Sequence, residues 1–269
     1  MRPLHSENNN TIMWLERSEL IFGKEAMDSL HESHVLIVGL GGVGSFSAEF
    51  IARAGVGTMT IIDGDVFDIT NKNRQLMAMD STIGRYKSEV LAEKLLDINP
   101  NLKLNVLTEF VEPERVWEIL KEYKPDYVMD CIDTISPKVE WIIASIRLKI
   151  KVISHFGAGG KKDASKVQVA RLHRTYNCKL AQHIKKRLKK RGVSFERVRA
   201  VFSSEMQDKD SLAMTDGTGY KRSYYGTTSY IPALFGLQGA AEVIRHLTEV
   251  KLAQQQKTAE SKVVENSEA

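Results

Sequence analysis

Short apolar runs alternate with stretches of helical period along the first 160 residues. His34–Val38, Thr58–Asp63, Leu102–Leu107, Tyr127–Met129 and Val152–His155 are brief and rich in Val, Ile, Leu and Met, as strands buried in a parallel sheet are. Between them, Ser45–Ala54, Tyr86–Ile98, Pro113–Tyr123 and Pro137–Leu148 carry helical spacing, with Pro113 suited to a first turn and Pro100 just beyond a helix end. Strand and helix in strict alternation predict an α/β fold: a doubly wound, mostly parallel sheet with helices on both faces. Upstream, Leu15–Leu30 reads as an amphipathic helical region broken at Gly23, and residues 1–13 are polar and expected to be flexible. After Gly160 the rhythm changes. Val167–Leu172 and Val198–Ser203 are strand-like and flank a basic helix, and Ile231–Leu247 reads as a last helix. Residues 251–269 are polar and expected to be disordered.

The 269 residues are 42% hydrophobic and 27% charged, enough for one large domain with a sizeable core. No run of 18 apolar residues occurs, and the start MRPLHSENNN lacks the basic and apolar regions of a secretory signal, so a cytoplasmic protein without a transmembrane segment is expected. Two cysteines, Cys131 and Cys178, supply neither a disulfide framework nor a four-cysteine zinc site. The net charge of +4 conceals an asymmetry: residues 161–199 hold 14 Lys and Arg against 2 acids, which leaves the remainder at −8. A polyanionic partner for that segment is implied.

Between the first strand and the first helix lies Gly39-Leu-Gly41-Gly42-Val-Gly44. Glycines there permit a tight turn and let the backbone approach a phosphate at a helix N-terminus. Asp63 ends the next strand, 19 residues after Gly44, where a carboxylate can accept hydrogen bonds from ribose hydroxyls. Such a loop alone does not separate NAD from ATP. Beyond it stand Asn71, Asn73 and Arg74, and Lys87 opens the next helix. A cationic and amide cluster suits a triphosphate better than a pyrophosphate bridge, because Arg forks onto phosphate oxygens and Lys adds a point charge. Asp133 follows a strand and is placed to hold Mg2+ shared with phosphates. The domain plan is then residues 14–160 as an ATP-binding part and 161–250 as a basic α+β subdomain of the same domain.

With its glycine loop, Asp63, Asn71-x-Asn73-Arg74-Gln75, Lys87 and Asp133 in that order, the chain resembles the ubiquitin-activating (E1-like) superfamily, which includes the molybdopterin and thiamine adenylyltransferases. The resemblance implies a Rossmann-like E1-like fold, ATP and Mg2+, and a homodimer. It also implies catalytic roles for Arg74, Lys87 and Asp133, and for Arg17, which resembles an N-terminal arginine that reaches into a partner subunit's ATP site. A solvated helix residue is an equal reading of Arg17. Many relatives use a thioester-forming cysteine and paired CxxC zinc ligands, and this chain has neither. Asp130-Cys-Ile-Asp133-x-x-x-Pro137-Lys138, Gly157-Ala-Gly-Gly160, Val201-Phe-Ser203-Ser-Glu205 and the stretch from Gly226 to Gly236 resemble one branch in particular, the tRNA threonylcarbamoyladenosine dehydratases. That resemblance implies ATP-dependent cyclisation of a threonylcarbamoyl group on adenosine 37 of tRNA through an acyl-adenylate. The alternative within the superfamily is adenylation of the C-terminus of a small ubiquitin-like carrier protein. A sulfur-transfer protein as partner stays open.

The basic segment fits a tRNA. Leu180, Ile184 and Leu188 recur every four residues, a spacing that points them to the core and turns Lys179, Lys185, Lys186, Arg187, Lys189, Lys190 and Arg191 to solvent. Charged faces usually mix signs, and this one does not. Phosphate contact with tRNA is expected. A basic amphipathic helix also suits an anionic membrane surface, which leaves peripheral contact with the inner membrane as a second reading. His155 lies after a strand end, where it would either position substrate or serve the structure.

Overall fold

The computed structural model describes residues 13–214 and 223–250. Strands β1 (His34–Val38), β2 (Thr58–Ile62), β3 (Lys103–Leu107), β4 (Tyr127–Asp130), β5 (Lys151–His155), β6 (Val167–Arg171) and β7 (Arg199–Ser203) form one sheet in the order β3-β2-β1-β4-β5-β7-β6. Every neighbouring pair is parallel except β6 on β7. The C-terminal strands thus extend the first sheet and do not open a second core. A separate hairpin pairs β8 (Leu212–Met214) with β9 (Ser223–Tyr225), two short strands the apolar pattern does not signal.

Strand side chains alternate between faces, so each strand feeds two cores. Ile37, Met59, Ile61, Met129, Ile153 and Val201 pack on one face against α2 (Lys24–His31), α3 (Gly44–Arg53), α4 (Lys87–Ile98) and α8 (Ile231–Arg245). Leu36, Val38, Ile62, Val128, Val152 and Phe202 pack on the other against α5 (Pro113–Tyr123), α6 (Ile135–Arg147) and α7 (Lys179–Lys190). The predicted break at Gly23 is real. With φ at 83°, that glycine separates α1 (Glu16–Phe22) from α2. α8 runs on into a π-helical turn, His246–Val250. Residues 1–12 and 251–269, expected to be flexible and disordered, lie outside the described residues.

β1 sits between β2 and β4, where the winding of the sheet reverses direction. In open α/β sheets ligands bind in the crevice that this reversal opens at the C-terminal ends of the strands. The glycine loop follows β1 and Asp133 follows β4, so topology alone brings them to one place.

Candidate active site

The glycine loop is a closed turn. Gly39 has φ at 85°, a conformation that side chains disfavour, and its N–H donates to the Ile62 carbonyl at 2.9 Å. A β-carbon on Gly44 would stand 1.8 Å from the Gly39 carbonyl oxygen, so the turn can close only without one. Asp63 holds the loop from β2: its Oδ2 accepts from Leu40 N–H at 2.6 Å and its Oδ1 from Asp65 N–H at 2.8 Å. Burial raises its carboxyl above the ordinary range, opposed by Lys87 and the two amides.

The Asn-x-Asn-Arg-Gln segment lies against this loop. A β-carbon on Gly42 would stand 3.0 Å from the Arg74 carbonyl oxygen, and one on Gly41 would stand 3.6 Å from Gln75 Nε2. Arg74 Nη1 donates to Thr70 O at 2.8 Å and to Asn73 Oδ1 at 3.0 Å, which fixes the guanidinium beside the loop. Lys87 is 6% exposed at the first turn of α4 and 2.9 Å from Asp65 Oδ2. Asn73 reaches across to the C-terminal segment, donating to Thr227 O at 3.0 Å. Asn71, expected among the nucleotide ligands, is engaged in the turn itself. Its side chain is buried in a capping box, accepting from Asp68 N–H at 3.2 Å, and so shapes the turn that presents Arg74.

Asp133 is exposed three residues beyond β4, just before the start of α6. The end of β4 touches the loop, since a β-carbon on Gly39 would stand 3.1 Å from the Cys131 carbonyl carbon. Beneath Asp133 lies a polar cluster with no exposure: Lys138 Nζ and Ser154 Oγ each approach Asp130 Oδ2 at 2.6 Å. Burial pushes the Asp130 carboxyl up, against the pull of Lys138 and its other donors. His155 is 2% exposed behind this cluster, with Nδ1 3.1 Å from Asp130 O and Nε2 unpartnered against Gly239. Burial holds its pKa down to about 3, which favours the neutral ring. Desolvation, with Asp130 nearby, pushes the Cys131 thiol up to about 12, and Cys178 is buried beneath α7. Burial thus works against the thiolate form at Cys131.

Arg17 is not brought to the site. Leu15, two residues before it, packs on Gly55, beyond the far end of α3 from the glycine loop, about 15 Å of helix away. α1 has no buried side chain, and Leu20 and Ile21 stand 68% and 80% exposed.

The basic helix is amphipathic as expected: Ile184 and Leu188 are buried, and Leu180 partly so. Lys179, Lys186, Arg187, Lys189, Lys190 and Arg191 are exposed. Lys185 departs from the expected solvent face. It is half-buried and donates to Thr175 O at 2.7 Å, which ties the helix to the turn before it. Arg187 reaches Ser136 Oγ at 3.3 Å, which sets α7 beside the start of α6 and hence near Asp133.

Gln75, Asp65 and the Asp130–Lys138–Ser154 cluster went unassigned from sequence. Lys138 carried a signal: Trp141 and Ile142, three and four residues on, share its face of α6 and are buried, so a cation there needs a partner.

Residues 15–267 match the ThiF family. The chain belongs to that family. Within it, the chain is 39% identical over 189 residues to the tRNA threonylcarbamoyladenosine dehydratase of Bacillus subtilis, covering 70% of this chain and 74% of that one. It is 34% identical over 243 residues to the dehydratase of Escherichia coli, covering 84% and 90%. Among solved structures, the E. coli tRNA N6-threonylcarbamoyladenosine dehydratase in complex with ATP matches this ThiF-family chain with a TM-score of 0.81 at 33% identity, over 91% of this chain and 98% of that one. Its complex with AMP matches at 0.80. The E1-like Rossmann-type fold is thereby shown, and no helix among the described residues is long and apolar enough to cross a membrane.

Proposed function

We propose that this chain is an ATP-dependent tRNA threonylcarbamoyladenosine dehydratase. The observation that carries the reading is the shared crevice at β1 and β4, where a closed glycine turn is flanked by Arg74 and Lys87. The donor set fits ATP. The turn is closed on itself at Gly39 and Gly44, which leaves backbone amides at the start of α3 for a phosphate, and Arg74 and Lys87 add positive charge beside it.

Asp63 accepts the ribose hydroxyls and keeps the loop in register through Leu40. Arg74 and Lys87 stabilise charge on the phosphates as the substrate carboxylate attacks the α-phosphorus and pyrophosphate leaves. Asp133 would hold Mg2+ through its carboxylate, and the ion would supply positive charge to the phosphates. The carbamoyl group of the same side chain then attacks the activated acyl carbon and expels AMP, with net loss of one water. Ring closure gains from proximity, so no protein thiol is required. The scheme moves no sulfur and gives a sulfur-transfer protein no step.

The substrate tRNA lies along α7, whose exposed cations lead from Ser136 away from the site. A homodimer is supported by α1, whose apolar residues have no cover within the described chain, and by the distance of Arg17 from its own site. A second copy would bury α1 and lend Arg17 in trans.

Mass analysis of nucleosides tests this. Threonylcarbamoyladenosine-containing tRNA incubated with the protein and ATP is expected to yield a nucleoside lighter by one water, with AMP formed. Unchanged nucleoside, together with pyrophosphate exchange driven by a small ubiquitin-like protein, would favour carrier activation. Binding of α7 to anionic vesicles in preference to tRNA would favour the membrane surface.

A further inference from the structure

On the α5–α6 face, beyond the C-terminal end of α7, lies a cavity of about 400 Å³ lined by Trp117, Ile143, Arg147, Arg191 and Val193. It is separate from the β1–β4 crevice. One carboxylate organises its wall: Glu140 accepts from Trp117 Nε1 at 2.9 Å through Oε1 and pairs with Arg191 Nη1 at 2.7 Å through Oε2. An indole and a guanidinium are thereby held side by side, with both Glu140 oxygens engaged. Ile143 and Val193 are buried and form an apolar floor. Arg147 is exposed and makes no ion pair among the described residues.

An aromatic wall, an apolar floor and two cations at the rim are complementary to a base and its phosphates. The volume lies within the range of small-ligand sites. Bases stack on aromatic side chains irrespective of sequence, and Arg engages phosphate oxygens. α7 itself offers no exposed Phe, Tyr or Trp, so the larger stacking surface that it lacks is supplied next to it by α5. Position supports the same ligand. Arg187 meets Ser136 and Arg191 meets Glu140, so the exposed cations descend α6 one turn at a time from the site edge to the cavity. Ser136 to Ile143 spans ~10 Å of helix.

We propose that this cavity is a second nucleotide-binding subsite, which takes an unpaired nucleotide of the bound RNA by stacking it on Trp117 with its phosphates at Arg147 and Arg191. The proposal rests on the reading of α7 as the tRNA surface. It places one contact that depends on an unpaired base beside a surface that otherwise reads only phosphates.

The test measures tRNA affinity of the full chain at several salt concentrations. The variants are Trp117→Leu, Trp117→Phe, Arg147→Ala and a triple reversal of Lys186, Lys189 and Lys190 to Glu, with ATP affinity checked in each as a control for folding. Trp117→Leu is expected to weaken tRNA binding roughly fivefold or more at every salt, because stacking releases no counterions, and Trp117→Phe to restore most of it. Arg147→Ala is expected to reduce the salt slope by about one contact. The triple reversal is expected to lower both affinity and slope. Parent-like affinity of Trp117→Leu beside a defective triple reversal would overturn the subsite and leave the function standing. An ineffective triple reversal would remove the RNA reading beneath it. AMP that quenches Trp117 fluorescence, while Trp117→Leu binds tRNA as the parent does, would overturn the RNA subsite in favour of a free nucleotide.

Discussion

Asp63 performs two tasks with conflicting demands. As a carboxylate it accepts two backbone amides and would accept ribose hydroxyls, yet burial raises its proton affinity against the pull of Lys87. A carboxyl with a raised folded-state pKa binds its proton more tightly in the folded state, so stability falls as pH rises from the ordinary carboxylate range through the raised value. Asp63→Asn removes this dependence. The variant's unfolding midpoint is expected to gain on the parent's as pH climbs through that window and to hold the gain at neutral pH, while its ATP affinity falls. Parallel curves of midpoint against pH would show that the burial of Asp63 costs the fold nothing. The same conflict explains why Asp63 was legible in sequence: a function that needs an acid at the end of β2, facing a glycine turn, leaves a fixed residue type at a fixed spacing. Gly39, Gly44, Arg74 and Lys87 were legible for the same reason. Asn71 was read as a ligand because its amide can donate and accept; that it turns inward as a cap is set by Asp68, a local competition that residue type does not reveal.

At the level of elements, α6 is bolted to the sheet by Lys138, which inserts its ammonium between Asp130 of β4 and Ser154 of β5. Removing one partner of a buried ion pair strands the other charge, at a cost of about 3–5 kcal/mol, whereas removing both can be nearly neutral. Lys138→Met is therefore expected to destabilise by about that amount. Lys138→Met with Asp130→Leu is expected to recover most of it, as read from urea unfolding. If the double variant is as unstable as the sum of the singles, the pair is not coupled. Strands and helices up to β5 were legible because apolar period and turn residues agree there. The pairing of β7 with β5, which makes the C-terminal segment part of the same sheet, was not, because it joins residues 46 apart, such as Ile153 and Arg199, across the basic helix. β8 and β9 are three residues each, too short for alternation to register. α7 was legible through its four-residue apolar spacing, but not the inward turn of Lys185, whose partner is a carbonyl ten residues earlier.

At the scale of the molecule, α1 faces solvent with apolar residues while its arginine lies far from its own crevice. A second copy packed on α1, as proposed above, would resolve both. Mixing Arg17→Ala with Asp133→Ala protein is expected to restore part of the activity absent from either alone, since a hybrid dimer holds one site with both residues intact. No recovery despite subunit exchange, followed by differential labelling, would place Arg17 outside catalysis in trans. The glycine turn has a further dependence. Pro232 of α8 lies against Gly42, and Gly236 of α8 packs on Val43, Phe46 and Ser47, so the back wall of the turn is made from residues near the end of the chain. During synthesis, Gly39 to Gly44 emerge early but lack this wall until α8 has cleared the ribosome. A nascent chain stalled before Pro232 would carry Gly39 to Gly44, Asp63, Arg74 and Lys87 without the wall that α8 lays against the turn.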